Sequence, residues 1–281
     1  MQIPKALSSY WSGEPEWVAR LPAFAQECAD QWSLDLEKPF DTPRSLVLPA
    51  GDVVLKLNAP GHHEAAEEGT ALRAWDGNGA VGLVAEDRER RALLVERCRP
   101  GTPPPRAPDN RIAVILGLVP RLLVAVAPEE NLFPTISTLA QRSAEELQVM
   151  DRQGGGHPVE PSALALAVDL LQSVESNART LVNQDLHPGN ILRAEREPWL
   201  VIDPKPAIGE PEVTTVGLLR SAAWDGGTPL IRRWLDALQT LGLDREWMRG
   251  WGVAHALAWG WNPQGQWSHR SLSAAHAISD A

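Results

Sequence analysis

The sequence predicts an α+β chain of two lobes, a small β-rich lobe over residues 1–99 and a larger, mostly helical lobe over 100–281. Three observations lead there. Short aliphatic runs separated by turn signals crowd the first hundred residues. A proline-rich stretch, Arg99-Pro-Gly-Thr-Pro-Pro-Pro105, then breaks the pattern and reads as an extended linker. Beyond it, apolar residues recur mostly at helical spacing. A chain of 281 residues is also too long for one small core.

Composition narrows the function. The 43% hydrophobic and 22% charged residues are those of an ordinary soluble globular protein. A net charge of −10 with no Lys/Arg block argues against a nucleic-acid or anionic-membrane surface, and it tolerates a cationic small molecule. Cys28 and Cys98 are far apart and outside any CxxC, so neither a disulfide framework nor a zinc site is expected. His62-His63 and the other histidines form no HExxH spacing. Residues 1–20 carry Glu14, Glu16, Tyr10, Trp11 and Trp17 instead of a basic start and an apolar core, unlike a signal peptide. The apolar run 112–127 is broken by Pro120 and Arg121 and is too short to span a bilayer. A cytoplasmic location is the expectation.

In chain order, Trp17, Leu21, Phe24, Ala25 and Cys28 predict a helix over 14–32, with Pro15 near its start. Ser45–Pro49 and Asp52–Leu57 predict two strands joined by Ala50-Gly51. Lys56 lies inside the second strand. On position alone it is as readily an edge or snorkelling residue as a buried cation with a purpose. A helix is expected over 63–75, with Glu64 and Glu68 four apart on one face, and either could reach Lys56. The other reading is a solvated acidic face. Asp76–Gly79 is a turn, 81–84 and 92–96 are short strands, and 86–91 is the charged turn between them.

Past the linker, 112–126 and 137–152 are helix candidates, the latter with Ser137 as N-cap. Gly154-Gly-Gly156 is a loop lacking the GxxxxGK[ST] pattern. Pro161 opens a helix whose apolar face continues through Leu164, Val168, Leu171, Val174, Ala178 and Leu181. Residues 191–193 and 199–202 read as a hairpin, and 216–261 as helices in which the tryptophans serve packing more than a ligand cage. The last fifteen or so residues, small and polar, are expected to fray.

The chemistry concentrates in Asp185-Leu-His-Pro-Gly-Asn190 and in Asp203, which ends the apolar run Trp199–Ile202. Kinase catalytic loops space a catalytic Asp and a metal-binding Asn the same way. A carboxylate beside an attacking hydroxyl, with an amide and a second carboxylate for a divalent ion, is what phosphoryl transfer requires. The hairpin brings Asn190 and Asp203 to neighbouring strand ends, close enough to share that ion.

With Lys56, the glutamate pair, the linker and Asp185/Asn190/Asp203 in order, the chain resembles the aminoglycoside phosphotransferases, in the streptomycin 6-kinase and hydroxyurea-resistance branch. The matching segments are Val54–Leu57, Ala71–Val81, Ala92–Cys98, Asp185–Leu192 with Glu197–Trp199, and Ile202–Pro206, within residues 40–260. The resemblance implies a protein-kinase-like pair of lobes and an ATP- and Mg2+-dependent transfer to a hydroxyl of a small, cationic, aminoglycoside-like acceptor. It implies Asp185 as base or hydroxyl-orienting group, Asn190 and Asp203 on magnesium, and Lys56 on the α- and β-phosphates. Glu68, in preference to Glu64, would hold Lys56, and backbone groups of Glu96 and Cys98 at the hinge would meet the adenine. Asn183-Gln184 stands where the family has His-Gly, which is expected to remove a buried hydrogen bond from loop to core. Glu210, Glu212, Asp225, Asp236 and Asp244 could line a cationic acceptor site. The alternative functions are a catalytically silent nucleotide- or partner-binding relative and a kinase of another metabolite.

Overall fold

A computed structural model describes residues 1–126, 133–153, 159–174, 178–261 and 266–281, apart from the side chains of Glu64 and Arg142. The contacts divide it into two compact units, 1–102 with 192–203, and 103–191 with 204–281. The segment 192–203, placed with the second lobe on sequence grounds, thus belongs with the first unit.

In the first unit, α1 (Lys5–Tyr10) and α2 (Pro15–Trp32) lie against an antiparallel sheet of order β1-β2-β4-β3. Its strands are β1 (Ser45–Ala50), β2 (Val53–Asn58), β3 (Leu83–Asp87) and β4 (Ala92–Glu96). Alternation sorts the side chains. Leu46, Leu48, Leu55, Leu57, Ala92 and Leu94 form one buried face and close on Trp17, Leu21, Ala25 and Cys28 of α2. Lys56 and Asn58 therefore project from the opposite face.

The helix expected from 63 begins only at Glu68: His63–Ala65 is one 3-10 turn, and α3 is Glu68–Trp75. Glu64 and Glu68 thus do not share one continuous helix. Asp76, Gly77 and Gly79 adopt positive φ in the turn that follows. Strand β3 starts two residues later than expected, because Ala80 and Val81 bridge instead to Val201.

The second unit is mostly helical: α4 (Pro108–Leu122), α5 (Ile136–Gln153), α6 (Pro161–Ser173), α7 (Val216–Gln239, kinked at Gly227), α8 (Arg245–Gly260) and α9 (His269–Ser279). It also holds β5 (Thr180–Asn183), paired antiparallel with β8 (Pro206–Gly209). The hairpin of β6 (Ile191–Arg193) and β7 (Trp199–Val201) lies between them in sequence.

Several expectations are corrected. Helix α4 spans 108–122, because Pro108 supplies a helix start and residues 124–126 run extended to bond Arg179 and Leu181. The cap of α5 is Thr135, whose Oγ1 accepts from Thr138 N at 3.4 Å, and Ser137 is inside the helix. Helix α6 stops at Ser173, and Leu181 is a strand residue: a short apolar run cannot distinguish helix from strand until its pairing partner is known. Gly154–Gly156 lies outside the described residues.

The C-terminus does not fray. In α9, Leu272, Ala274, Ala275 and Ile278 are buried, Ser268 caps the start, and Arg232, Arg245 and Arg249 donate to carbonyls at its end. Small residues are what let this helix lie close to α8, where Gly252 leaves room for Ile278.

Candidate active site

Among the described residues, each unit carries a cluster of buried charge, and Lys56, Glu68 and Asp203 fall into one and Asp185 and Asn190 into the other. In the first unit, Lys56 is 8% and Glu68 2% exposed. Lys56 Nζ donates to Glu68 Oε1 and Oε2, each at 2.6 Å, and to Asp203 Oδ1 at 2.5 Å. The cluster continues inward. Asn58 Nδ2 donates to Glu68 Oε2 at 3.1 Å, and Ser45 Oγ donates to Asn58 Oδ1 at 2.6 Å. Burial alone would discharge Lys56, but the carboxylates of Asp203 and Glu68 outweigh it and hold the ammonium charged, above its ordinary range. Asp203 has φ 51°, a left-handed conformation that Asp tolerates better than most residues.

Glu96 ends β4, and its carboxylate is committed. Oε1 and Oε2 accept from Arg196 at 3.0 and 2.9 Å, and Oε2 also accepts from Gly82 N at 3.0 Å. Burial raises this carboxyl, yet the bonds from Arg196 and Gly82 hold it below the usual range. The Glu96 carboxylate is thus held by Arg196 and Gly82. Cys98 is half-buried, and burial followed by the Glu96 charge pushes its thiol up to about 11.

In the second unit, Asp185 is 7% exposed and follows β5. Its Oδ1 accepts from Arg220 Nη2 at 2.9 Å, while Oδ2 lies 3.3 Å from Lys205 Nζ and accepts from Asn190 Nδ2 at 3.4 Å. Asn190 Nδ2 also donates to the Asp185 carbonyl at 3.0 Å. Pro188 fixes the turn between them, Asn190 N returns to His187 O, and His187 Nδ1 accepts from Gly189 N at 3.0 Å. His187 is thereby a loop-shaping residue.

The expected loss of a loop-to-core hydrogen bond at Asn183-Gln184 does not occur. Asn183 is fully buried, and its Oδ1 accepts from Asp185 N at 3.1 Å and from Lys205 N at 3.0 Å. Its own N donates to Thr214 Oγ1 at 3.1 Å, and Gln184 N donates to Lys205 O at 2.9 Å. An amide here supplies the tie in place of a ring.

Sequence reasoning missed Lys205 and Arg220. Lys205 stands within the quoted Ile202–Pro206 segment, whose lysine offered a signal. Arg220 offered only a charge interrupting the apolar start of α7. Four of the five carboxylates suggested for a cationic acceptor are engaged elsewhere. Asp225 pairs with Arg111 at 2.8 Å beside a cavity of about 320 Å³ that also touches Pro188. Asp236 pairs with Arg245 at 2.6 Å, Asp244 caps α8, and Glu212 accepts from Asp244 N. Burial raises the Glu210 carboxyl. Among the described residues, no group of three or more His, Cys, Asp or Glu gathers as a metal site, and no helix is long and apolar enough to cross a membrane.

Comparison with known proteins supplies the context for these clusters. Residues 32–264 match the family described as aminoglycoside/hydroxyurea antibiotic resistance kinase. The chain is 33% identical over 287 residues to a streptomycin 6-kinase of Streptomyces glaucescens, covering 92% of this chain and 89% of that relative. Among solved structures, the choline kinase of Streptococcus pneumoniae aligns with a TM-score of 0.65 at 11% identity, covering 93% of this chain and all of that one. A thermostable aminoglycoside phosphotransferase, APH(4)-Ia, solved with ADP and hygromycin B, aligns with a TM-score of 0.58 at 11% identity, over 91% of this chain and 97% of that one. The fold is protein-kinase-like, of mixed α+β class, as the sequence predicts.

Proposed function

The chain belongs to the aminoglycoside/hydroxyurea antibiotic resistance kinase family, and from that premise we propose that it moves the γ-phosphate of ATP to a hydroxyl of an aminoglycoside-like acceptor. As a member it is a phosphotransferase acting on small antibiotic-like molecules; the nucleotide, the metal and the acceptor are our reading. The observation that carries it is Lys56, buried, charged and held by both oxygens of Glu68, with Asp203 on the same nitrogen. An ammonium held in one place by Glu68 can meet phosphate oxygens where Asp203 now accepts from it, once Asp203 turns to a metal.

Each residue then has a duty. Lys56 binds the α- and β-phosphates, and Glu68, backed by Asn58, keeps it pointed. Asn190 and Asp203 each offer an oxygen donor suited to a hard divalent cation. The Asn190 amide nitrogen is engaged by Asp185, which leaves its oxygen as the ligating atom. Magnesium bound there would neutralise phosphate charge in the transfer. Asp185 receives or orients the acceptor hydroxyl, whose oxygen forms the new bond to phosphorus as the bond to ADP breaks. Backbone groups of Glu96 and Cys98 would meet the adenine.

The position of Asp185 also depends on a glycine. A Cβ on Gly217, in the first turn of α7, would stand 2.5 Å from the Leu186 carbonyl oxygen, which is backbone and cannot swing aside. Gly217→Ala is expected to displace the loop and lower kcat on the order of 10–100-fold, with nucleotide affinity little changed. Steady-state rates with nucleotide titration check this, and wild-type kcat in the variant would sink it.

The function is tested by incubating the full chain with ATP, Mg2+ and a panel holding streptomycin, hygromycin B and hydroxyurea. Acceptor-dependent ADP release with streptomycin is the expected result. Normal ATP binding without transfer to any panel member would remove the acceptor reading.

A further inference from the structure

Lys205 and Arg220 come from different elements, one just before β8 and one in the first turns of α7, and both are buried. With one carboxylate between two cations, the group around Asp185 carries a surplus positive charge. Both cations also converge on a single ring. Lys205 Nζ lies 4.0 Å and Arg220 Cζ 4.6 Å from the centroid of Trp259, near the end of α8. The negative face of an indole attracts such cations. His255, one turn earlier, stacks on the same ring at 5.0 Å, and its Nδ1 is 3.5 Å from Arg220 Nη1. Burial, then Arg220 and Lys205, push this imidazole well below its ordinary range, so it adds no third charge. Trp259 is 37% exposed, whereas Trp234, Trp251 and Trp267 are buried, so core filling does not account for its place.

We infer that Trp259 is a positioning residue for phosphate transfer: its ring seats Lys205 and Arg220 so that together they fix the Asp185 carboxylate. The inference rests on the role proposed above for Asp185. Loss of the ring would let both long side chains reorient, and the carboxylate would lose its rotational anchor while the nucleotide-side residues stay in place.

The test compares wild type, Trp259→Leu, Trp259→Phe, Lys205→Met and the Trp259→Leu/Lys205→Met pair in the full chain. Three quantities are read: kcat, the KM for ATP, and the thermal midpoint. Trp259→Leu should lower kcat on the order of tenfold or more while the KM for ATP stays within about twofold. Trp259→Phe, which keeps an aromatic face, should retain most of the rate. The double variant should be no slower than the slower single, and its loss in thermal midpoint should fall short of the sum of the singles by about 2 °C. A Trp259→Leu enzyme at the wild-type rate, a phenylalanine as damaging as leucine, or single losses that simply combine would each overturn the inference. If wild type phosphorylates no acceptor, the acceptor reading fails, but slow hydrolysis of ATP to water still reports kcat across the series. If it does not hydrolyse ATP either, the thermal series decides alone: a shortfall supports the seat, and additive losses overturn it.

Discussion

Asp185→Asn is expected to lower kcat by on the order of 10²–10⁴-fold, because the amide can neither take the hydroxyl proton nor draw it into line. The structure adds a second consequence. Arg220 and Lys205, with side chains 7% and 6% exposed, would face a neutral amide in place of a carboxylate. Removing one partner of a buried ion cluster is costly. Asparagine keeps one oxygen for Arg220, so a loss of about 2–3 kcal/mol is expected, lowering the thermal midpoint by roughly 4–9 °C. Nucleotide affinity should hold, since Lys56, Glu68 and Asp203 are untouched. Rates, calorimetric ATP binding and a melting curve separate the three effects. A variant that still transfers at near the wild-type rate would remove Asp185 from the chemistry.

Lys56→Met is expected to have the other large effect. It leaves the Glu68 and Asp203 carboxylates, both within 2.6 Å of the missing nitrogen, facing an apolar chain. Breaking a buried pair in this way costs about 3–5 kcal/mol, or a midpoint lower by roughly 6–15 °C. Loss of a preorganised cation on the phosphates should also lower kcat by on the order of 10²–10³-fold. Glu68→Gln should do less to both, because Gln still offers Lys56 one oxygen and Asp203 remains. Melting curves and single-turnover transfer for the two variants check the order. Equal damage from both, or none from Lys56→Met, would contradict the role given to Lys56.

Much of this was legible in the sequence because it follows from local rules. The alternation Leu55-Lys56-Leu57 forces Lys56 to the face opposite the α2 core, and Glu68 follows within one turn and one helix start. Pro188 and Gly189 mark the turn that spaces Asp185 from Asn190. What was not legible depends on contacts distant in sequence. Arg220 reaches Asp185 across 35 residues, and Lys205 reaches it only because β8 returns beside β5. Asn183 looked like a deficit because its two backbone donors, one of them on Lys205, come together only through that pairing. The ordering of α9 has the same cause: nothing in Ser268–Ser279 announces the small residues of α8 on which it rests.

The central claim is that Lys56, Asp203, Asn190 and Asp185 together pass phosphate to an acceptor hydroxyl. Phosphorus-31 NMR of the full chain with ATP, Mg2+ and streptomycin tests it most directly. The expected spectrum gains one phosphomonoester resonance, coupled to a single ring proton of the acceptor, in step with the loss of the ATP γ signal. An ATP γ signal that decays only to inorganic phosphate, with the acceptor unmodified, would contradict the account.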